Sequence, residues 1–211
     1  MKILIPILAF IAILVIIAGT IMSHVEQPKY NVITSNNNIE VRDYAPMLLA
    51  EVEVTGEQKE AINEGFKILA DYIFGNNLSQ KKMEMTAPVT TELNEKLSMT
   101  APVMQEGEDK KWKVRFVMPE GYTLETLPKP NSPSVNLISI PAKRFAVISF
   151  SGFASEDNIQ LQKKELKAYI SEQNIKTIGT PILAFYNPPW TLPFLRRNEV
   201  LIEVPLNLKG L

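Results

Sequence analysis

From residue 30 onward, apolar and polar positions alternate along this chain until the spacing switches to that of a helix. "YNVIT" and "IEVRDY" flank the turn-rich cluster "SNNN" and read as a β-hairpin, and "MLLAEVEVT" follows as a longer strand. In "GEQKEAINEGFKILADYIFGNN" the period changes: Ile62, Phe66, Leu69 and Ile73 recur at helical spacing, charges fall between them, and Gly75 stops the run. The pattern predicts one amphipathic helix packed on strands. Farther on, "KWKVRFVMP" reads as another strand and "LPKPNSPS" as a loop within the same domain.

The pattern then repeats. Aligning "LLAEVEVTG" with "RFAVISFSG" matches Ala50 with Ala146, Val52 with Ile148, Val54 with Phe150 and Gly56 with Gly152, each 96 positions apart. Each copy continues through an acidic, polar start into a helix, ending at Tyr72-Ile73 and at Tyr169-Ile170. The chain therefore reads as a duplicated strand-helix-strand-strand unit whose two apolar sheet faces close into one core. The expected fold class is α+β: one curved antiparallel sheet or distorted barrel carrying two long helices.

Residues 1–22 stand apart. "ILIPILAFIAILVIIAGTIM" is free of charge, follows Lys2, and is long enough to cross a hydrocarbon layer of ~30 Å. It exceeds the apolar core of roughly 7–15 residues in a secretory signal, and "AGTIMS" is a poor cleavage sequence. A retained, single-pass transmembrane anchor is expected. Lys2 on its N-terminal side puts the rest of the chain in the periplasm or another extracytoplasmic space. Residues 23–29 read as a polar tether and 30–208 as the folded domain.

Composition narrows the chemistry. With 211 residues, 45% of them apolar and 21% charged, the chain can bury a sizeable core. A net charge of -1 offers no basic excess for neutralising phosphates, which argues against nucleic-acid binding. The absence of Cys removes disulfides, thiolate nucleophiles and Cys-based metal sites.

Three motifs carry what chemistry there is. The string "MTAPV" occurs at Met85 and again at Met99. It holds no general base, its prolines belong at strand ends or bulges, and its alternation suits strands lining the sheet. The sharper alternative takes Met83, Met85 and Met99 as soft thioether ligands of copper(I) or haem iron. The single histidine, His24, falls in the tether, so the domain itself offers no imidazole to a haem iron. "YNPPWTLPF" places Tyr186, Trp190 and Phe194 on a Pro-rigid loop, either as an aromatic lip for a planar ligand or as a staple onto the core. In "RRNE", Arg196 and Arg197 either clamp an anion through forked hydrogen bonds or pair with Glu199. No nucleophile with its base, metal cluster or Gly-rich phosphate loop is visible, and catalysis is not expected.

Taken together, "IEVRDYAP", "LADYIFGNN", the paired "MTAPV" strings and "YNPPWTLPFLRRNEVLIEV" resemble the SOUL, or heme-binding protein, family in its membrane-anchored bacterial branch. The resemblance covers about residues 30–206 and extends, more distantly, to gyrase-inhibitor-like effector-binding domains. It implies a hydrophobic ligand of the haem or tetrapyrrole class, held between the first helix and the aromatic loop. Carried onto this chain, the apolar part of the groove comprises Ile62, Phe66 and Leu69 with Tyr186, Trp190 and Phe194, and Arg196 and Arg197 are the candidate clamp for propionates. The positions expected to be basic in haem-binding members fall here on Asn63, Asp71 and near Thr191. Haem is therefore possible and not required. The rival expectation is an envelope scaffold or interaction protein that uses the same groove for a peptide or lipid.

Overall fold

Tyr30–Asn36 (β1) and Ile39–Tyr44 (β2) form the hairpin the sequence predicts, turning through Asn37 at φ 54°. The computed structural model describes residues 25–80 and 94–207. The 1–22 segment, His24 and the first "MTAPV" with Met83 and Met85 lie outside the described residues. Among the described residues no helix is long and apolar enough to cross a membrane.

The remaining elements are β3 (Met47–Thr55), α1 (Gln58–Ile73), β4 (Asn77–Leu78), β5 (Val103–Glu108), β6 (Lys111–Val117), β7 (Lys129–Pro130), β8 (Asn136–Ile140), β9 (Lys143–Phe150), α2 (Glu156–Glu172), β10 (Ile178–Phe185) and β11 (Asn198–Val204). Nine strands make one curved, wholly antiparallel sheet in the order β1-β2-β9-β11-β10-β5-β6-β3-β8. The short strands β4 and β7 pair separately, so the Pro-rich loop carries a two-residue strand of its own.

The duplication is real and larger than the sequence pattern suggests. Each unit gains a leading strand, β2 in the first and β8 in the second, and the two are exchanged: β2 pairs with β9, and β8 with β3. The registers match one repeat apart, Val41 facing Ala146 on one side and Leu137 facing Ala50 on the other. Val52 faces Val114, which faces Gln105; in the second unit Ile148 faces Val200, which faces Leu183. Gln105 and Leu183 face each other across the β5–β10 pair, so the pseudo-two-fold axis passes through that pair. Gly56 and Gly152, at φ 134° and 95°, occupy the same turn from strand to helix in each copy, a conformation open to residues without a Cβ.

Each helix covers its own half. One core joins Ala50, Val52, Val114 and Phe116 of the sheet to Ala61, Leu69, Tyr72 and Ile73 of α1; the other joins Ala146, Ile148, Val200 and Ile202 to Ile159, Leu166 and Ile170 of α2. Ser155 caps α2 by accepting from the Asn158 amide at 3.4 Å, and Glu156 and Asp157 in the first turn suit the helix dipole. The seam of α1 keeps Leu69 and Ile73 of the expected Ile62-Phe66-Leu69-Ile73 stripe but not its first half: the buried face runs through Ala61, Gly65, Leu69, Tyr72 and Ile73, while Ile62 is half-buried and Phe66 exposed. Large apolar side chains suggested the stripe, whereas the closest approach to the sheet is made by the small ones. A Cβ on Gly65 would meet Val114 Cγ2 at 2.6 Å and Val52 Cγ2 at 3.1 Å. Gly65→Ala is expected to lower stability by about 1–3 kcal/mol despite its gain in helix propensity. Urea unfolding measures this, and an unchanged or raised midpoint would contradict the close approach.

Candidate functional site

The eight sequence-predicted residues separate into three places. Leu69 is fully buried between α1 and the sheet and cannot line a groove; Ile62 is half-buried against the same core, and Phe66 is partly exposed, its ring 5.3 Å from that of Phe116. Tyr186 and Arg197 lie on the face of the sheet turned away from the helices, within an ion network. Trp190 and Phe194 project outward at 72% and 71% exposure. Arg196 donates through Nε to the carbonyl of Thr191 (2.8 Å) and through Nη2 to that of Pro189 (2.5 Å) and lies 5.4 Å from the Phe153 ring centroid, so this edge of its guanidinium is engaged within its own loop. Among the described residues no ring contact or hydrogen bond joins the 186–197 loop to α1. The expected groove is thus not assembled: one of its walls is core, and its aromatic lip belongs to the other half.

The helix-free face holds a different cavity. Strand alternation sends Met47 and Leu49, Met104, Ile140, Phe145, Ile182 and Leu201 to this side, where they floor a cleft of about 230 Å³. Its walls are related by the pseudo-two-fold axis, Leu49 with Phe145, Tyr44 with Ile140, Met104 with Ile182 and Arg115 with Leu201. Both ends are polar. On one side Arg115 donates to Glu51 and Glu106, each at 2.5 Å, and Thr180 Oγ1 donates to Glu106 at 2.9 Å. On the other Lys143 pairs with Glu203 at 2.5 Å. Burial opposes the charge on Arg115, and its two carboxylates outweigh that and hold it protonated.

Beside the cleft lies Glu199, whose side chain has no exposure. Its Oε1 accepts from Arg42 Nη1 (2.9 Å), Arg197 Nε (3.0 Å) and Nη2 (2.8 Å), and Ser149 Oγ (3.0 Å), and its Oε2 from the Tyr186 hydroxyl (2.7 Å). Arg42 lies 4.4 Å from the Tyr30 ring centroid and Arg197 3.9 Å from that of Tyr186. Burial pushes the Glu199 carboxyl up, but Arg42 and Arg197 together hold it below the ordinary carboxylate value. Burial, with Glu199 adding to it, pushes the Tyr44 phenol up to about 12. Every oxygen of Glu199 has a donor, so the network secures β2, β9, β10 and β11 and the end of the cleft that Tyr44 lines.

The donor set does not fit a His-ligated haem. Among the described residues there is no histidine, the Tyr186 and Tyr72 hydroxyls donate to Glu199 and to the Pro128 carbonyl, and Met99 stands half-exposed away from the cleft. The residues lining the cleft fit the apolar surface of a ring and, among the described residues, supply no imidazole to its iron. The second "MTAPV" leads into β5: Thr100 bridges to Glu26, the Ala101 amide donates to the Glu26 carbonyl at 2.9 Å, and Ala101-Pro102 is cis. The cleft residues escaped the sequence reading, although one signal was there. Met47 and Leu49 alternate with Leu48 and Ala50, and Phe145 and Val147 with Ala146 and Ile148, so these strands are apolar on both faces, as strands covered on both faces must be.

A duplicated antiparallel half-sheet with a helix on each half and a cleft on its pseudo-axis defines the class: a two-fold α+β domain. The chain belongs to the SOUL heme-binding protein family, whose pattern it matches over residues 25–203. No curated protein matches it in sequence. In fold it is similar to the C-terminal domain of EcmrR (TM-score 0.56, 12% identity, 83% of this chain and 98% of that one). It is similar also to a protein described as a hydrolase from Listeria innocua (TM-score 0.52, 13% identity, 82% of this chain and 94% of that one).

Proposed function

We propose that this domain binds a hydrophobic or planar ligand of the tetrapyrrole class, non-covalently and without catalysis, in the cleft on the pseudo-two-fold axis. The 3–22 segment holds it to a membrane as a single pass, with the domain on the extracytoplasmic side; the charge-free run of that segment behind Lys2 supports this. The observation that carries the ligand reading is the cleft itself, an apolar floor closed at both ends by ion pairs, the composition of a small-molecule site. Its charged groups are engaged with one another, which suits binding rather than proton transfer. At about 230 Å³ it is smaller than the ~300–1,000 Å³ of sites that enclose a drug-sized ligand, so it takes an edge of a ring or an apolar chain and leaves the rest in solvent.

Titration of the full chain with protoporphyrin and with haem, followed by quenching of tryptophan emission, tests this. Both rings are expected to bind with affinities within about threefold of each other, because burial and not iron supplies the free energy. Met104→Trp, which fills the floor, is expected to weaken both about tenfold or more, and Phe66→Ala to leave both unchanged. The opposite result, loss in Phe66→Ala with no effect of Met104→Trp, would move the ligand to the helix side; strong haem binding with no affinity for the iron-free ring would reject the burial reading.

A further inference from the structure

The loop between β10 and β11 is built outside in. Trp190 and Phe194 are 72% and 71% exposed, Leu192 and Leu195 are exposed beside them, and Phe153, also exposed, lies next to the loop beneath the Arg196 guanidinium. Five large apolar side chains gathered on one surface are more than the scattered exposure any soluble domain shows. Meanwhile the loop's polar backbone is turned inward. Arg196 takes the carbonyls of Pro189 and Thr191, the Gly152 amide donates to the Pro193 carbonyl at 2.8 Å, Asn187 Oδ1 accepts from the Arg197 amide at 2.7 Å, and Pro188, Pro189 and Pro193 carry no N–H. A loop so arranged leaves fewer peptide groups that depend on water, which lowers the cost of moving it from water into the hydrated interfacial layer of a bilayer.

The start of the described chain lies at the same place. Arg197 Nη1 donates to Gln27 Oε1 at 3.0 Å and Arg197 Nη2 to the Tyr30 hydroxyl at 3.4 Å, so Gln27 is held two residues from Leu195 in the loop's own frame. From Gln27 back to Met22, the end of the apolar run, five residues span at most about 17 Å. If that run crosses a bilayer, the loop cannot be far from its surface. We propose that the 187–196 loop, with Phe153, docks into the interfacial layer of the bilayer in which the 3–22 segment sits, Trp190 and Phe194 entering the headgroup–acyl boundary. This rests on the anchor reading above and not on the ligand site. Trp is the side chain best suited to that layer. Glu156 and Asp157 open α2 just beyond Phe153, so the attraction is apolar burial and not charge, and zwitterionic lipid suffices.

The test uses the full chain in phosphatidylcholine vesicles with two independent readouts. Retention after alkaline carbonate washing reports the anchor. Tryptophan emission quenched by lipid-borne nitroxides, taken as the difference between the natural chain and Trp190→Phe, reports the loop, since Trp112 is partly buried on β6 and remains as a common background. Trp190 is expected to be blue-shifted and quenched from a depth of about 5–10 Å below the headgroups. Retention without quenching, with Trp190 open to aqueous acrylamide, overturns the docking and leaves the anchor standing. Quenching without retention removes the anchor and overturns the proposal in its stated form, in which loop and anchor share one bilayer; neither signal overturns both.

Discussion

Glu199→Gln is expected to destabilise the domain by about 3–5 kcal/mol, because it removes the fully buried carboxylate that Arg42 and Arg197 share, leaving Arg42 only its pair with Glu40 at 2.6 Å. For a domain of this size that corresponds to a fall in melting temperature of roughly 6–20 °C. The amide retains one acceptor oxygen, so the geometry is nearly kept and the loss reports charge. Arg42 stands at 4% side-chain exposure, too deep for water to replace the carboxylate. Thermal unfolding followed by circular dichroism measures the change, and a shift no larger than an exposed ion pair gives, below about 1 kcal/mol, would show that the network contributes little. The pH dependence carries an independent sign. The folded-state carboxyl lies below its ordinary value of 4.5, so its contribution is present above that value and is lost as pH falls through the folded-state value. The gap between natural chain and variant should therefore be constant near neutrality and close progressively below pH 4.5.

Leu69→Ala and Leu166→Ala should each cost about 2–5 kcal/mol, and by similar amounts. The two leucines end equivalent turns of α1 and α2, and neither has any exposed surface. They belong to separate clusters in opposite halves, one over β3 and β6, the other over β9 and β11. The double variant should therefore lose the sum of the single losses to within about 0.5 kcal/mol, as distant sites without shared partners do. Urea unfolding of all four proteins checks both statements. A large cost at one leucine beside a negligible one at the other would contradict the equivalence of the halves, and strong coupling would contradict their separate cores.

Much of the helix-bearing face was legible before any coordinates. Ala50, Val52, Ala146 and Ile148 alternate with period two, Leu69 and Leu166 sit on helices at matching offsets, and Gly56 and Gly152 mark the same turn. These are local signals, and local periodicity reports which side of an element is apolar. It does not report what lies opposite. The family resemblance implied that Phe66 and Trp190 are two sides of one groove, yet they belong to different halves. Glu199 looked like one charge among the neighbouring arginines, yet five donor atoms converge on it, from Arg42 on β2, Ser149 on β9, and Tyr186 and Arg197 at the two ends of the β10–β11 loop.

By itself the sequence determined the duplication, the α+β class and the family, since each is written in residues close together or in a repeat of them. The tertiary structure alone decided the exchange of β2 and β8, the cleft on the pseudo-axis, the burial of Glu199 and the outward turn of Trp190 and Phe194. Those features depend on pairings between residues some 80 to 160 positions apart, such as Leu183 with Gln105, Val41 with Ala146 and Arg42 with Glu199. No local pattern encodes such a pairing; it is selected when two apolar sheet faces, each with its own helix, find the register that buries both at once.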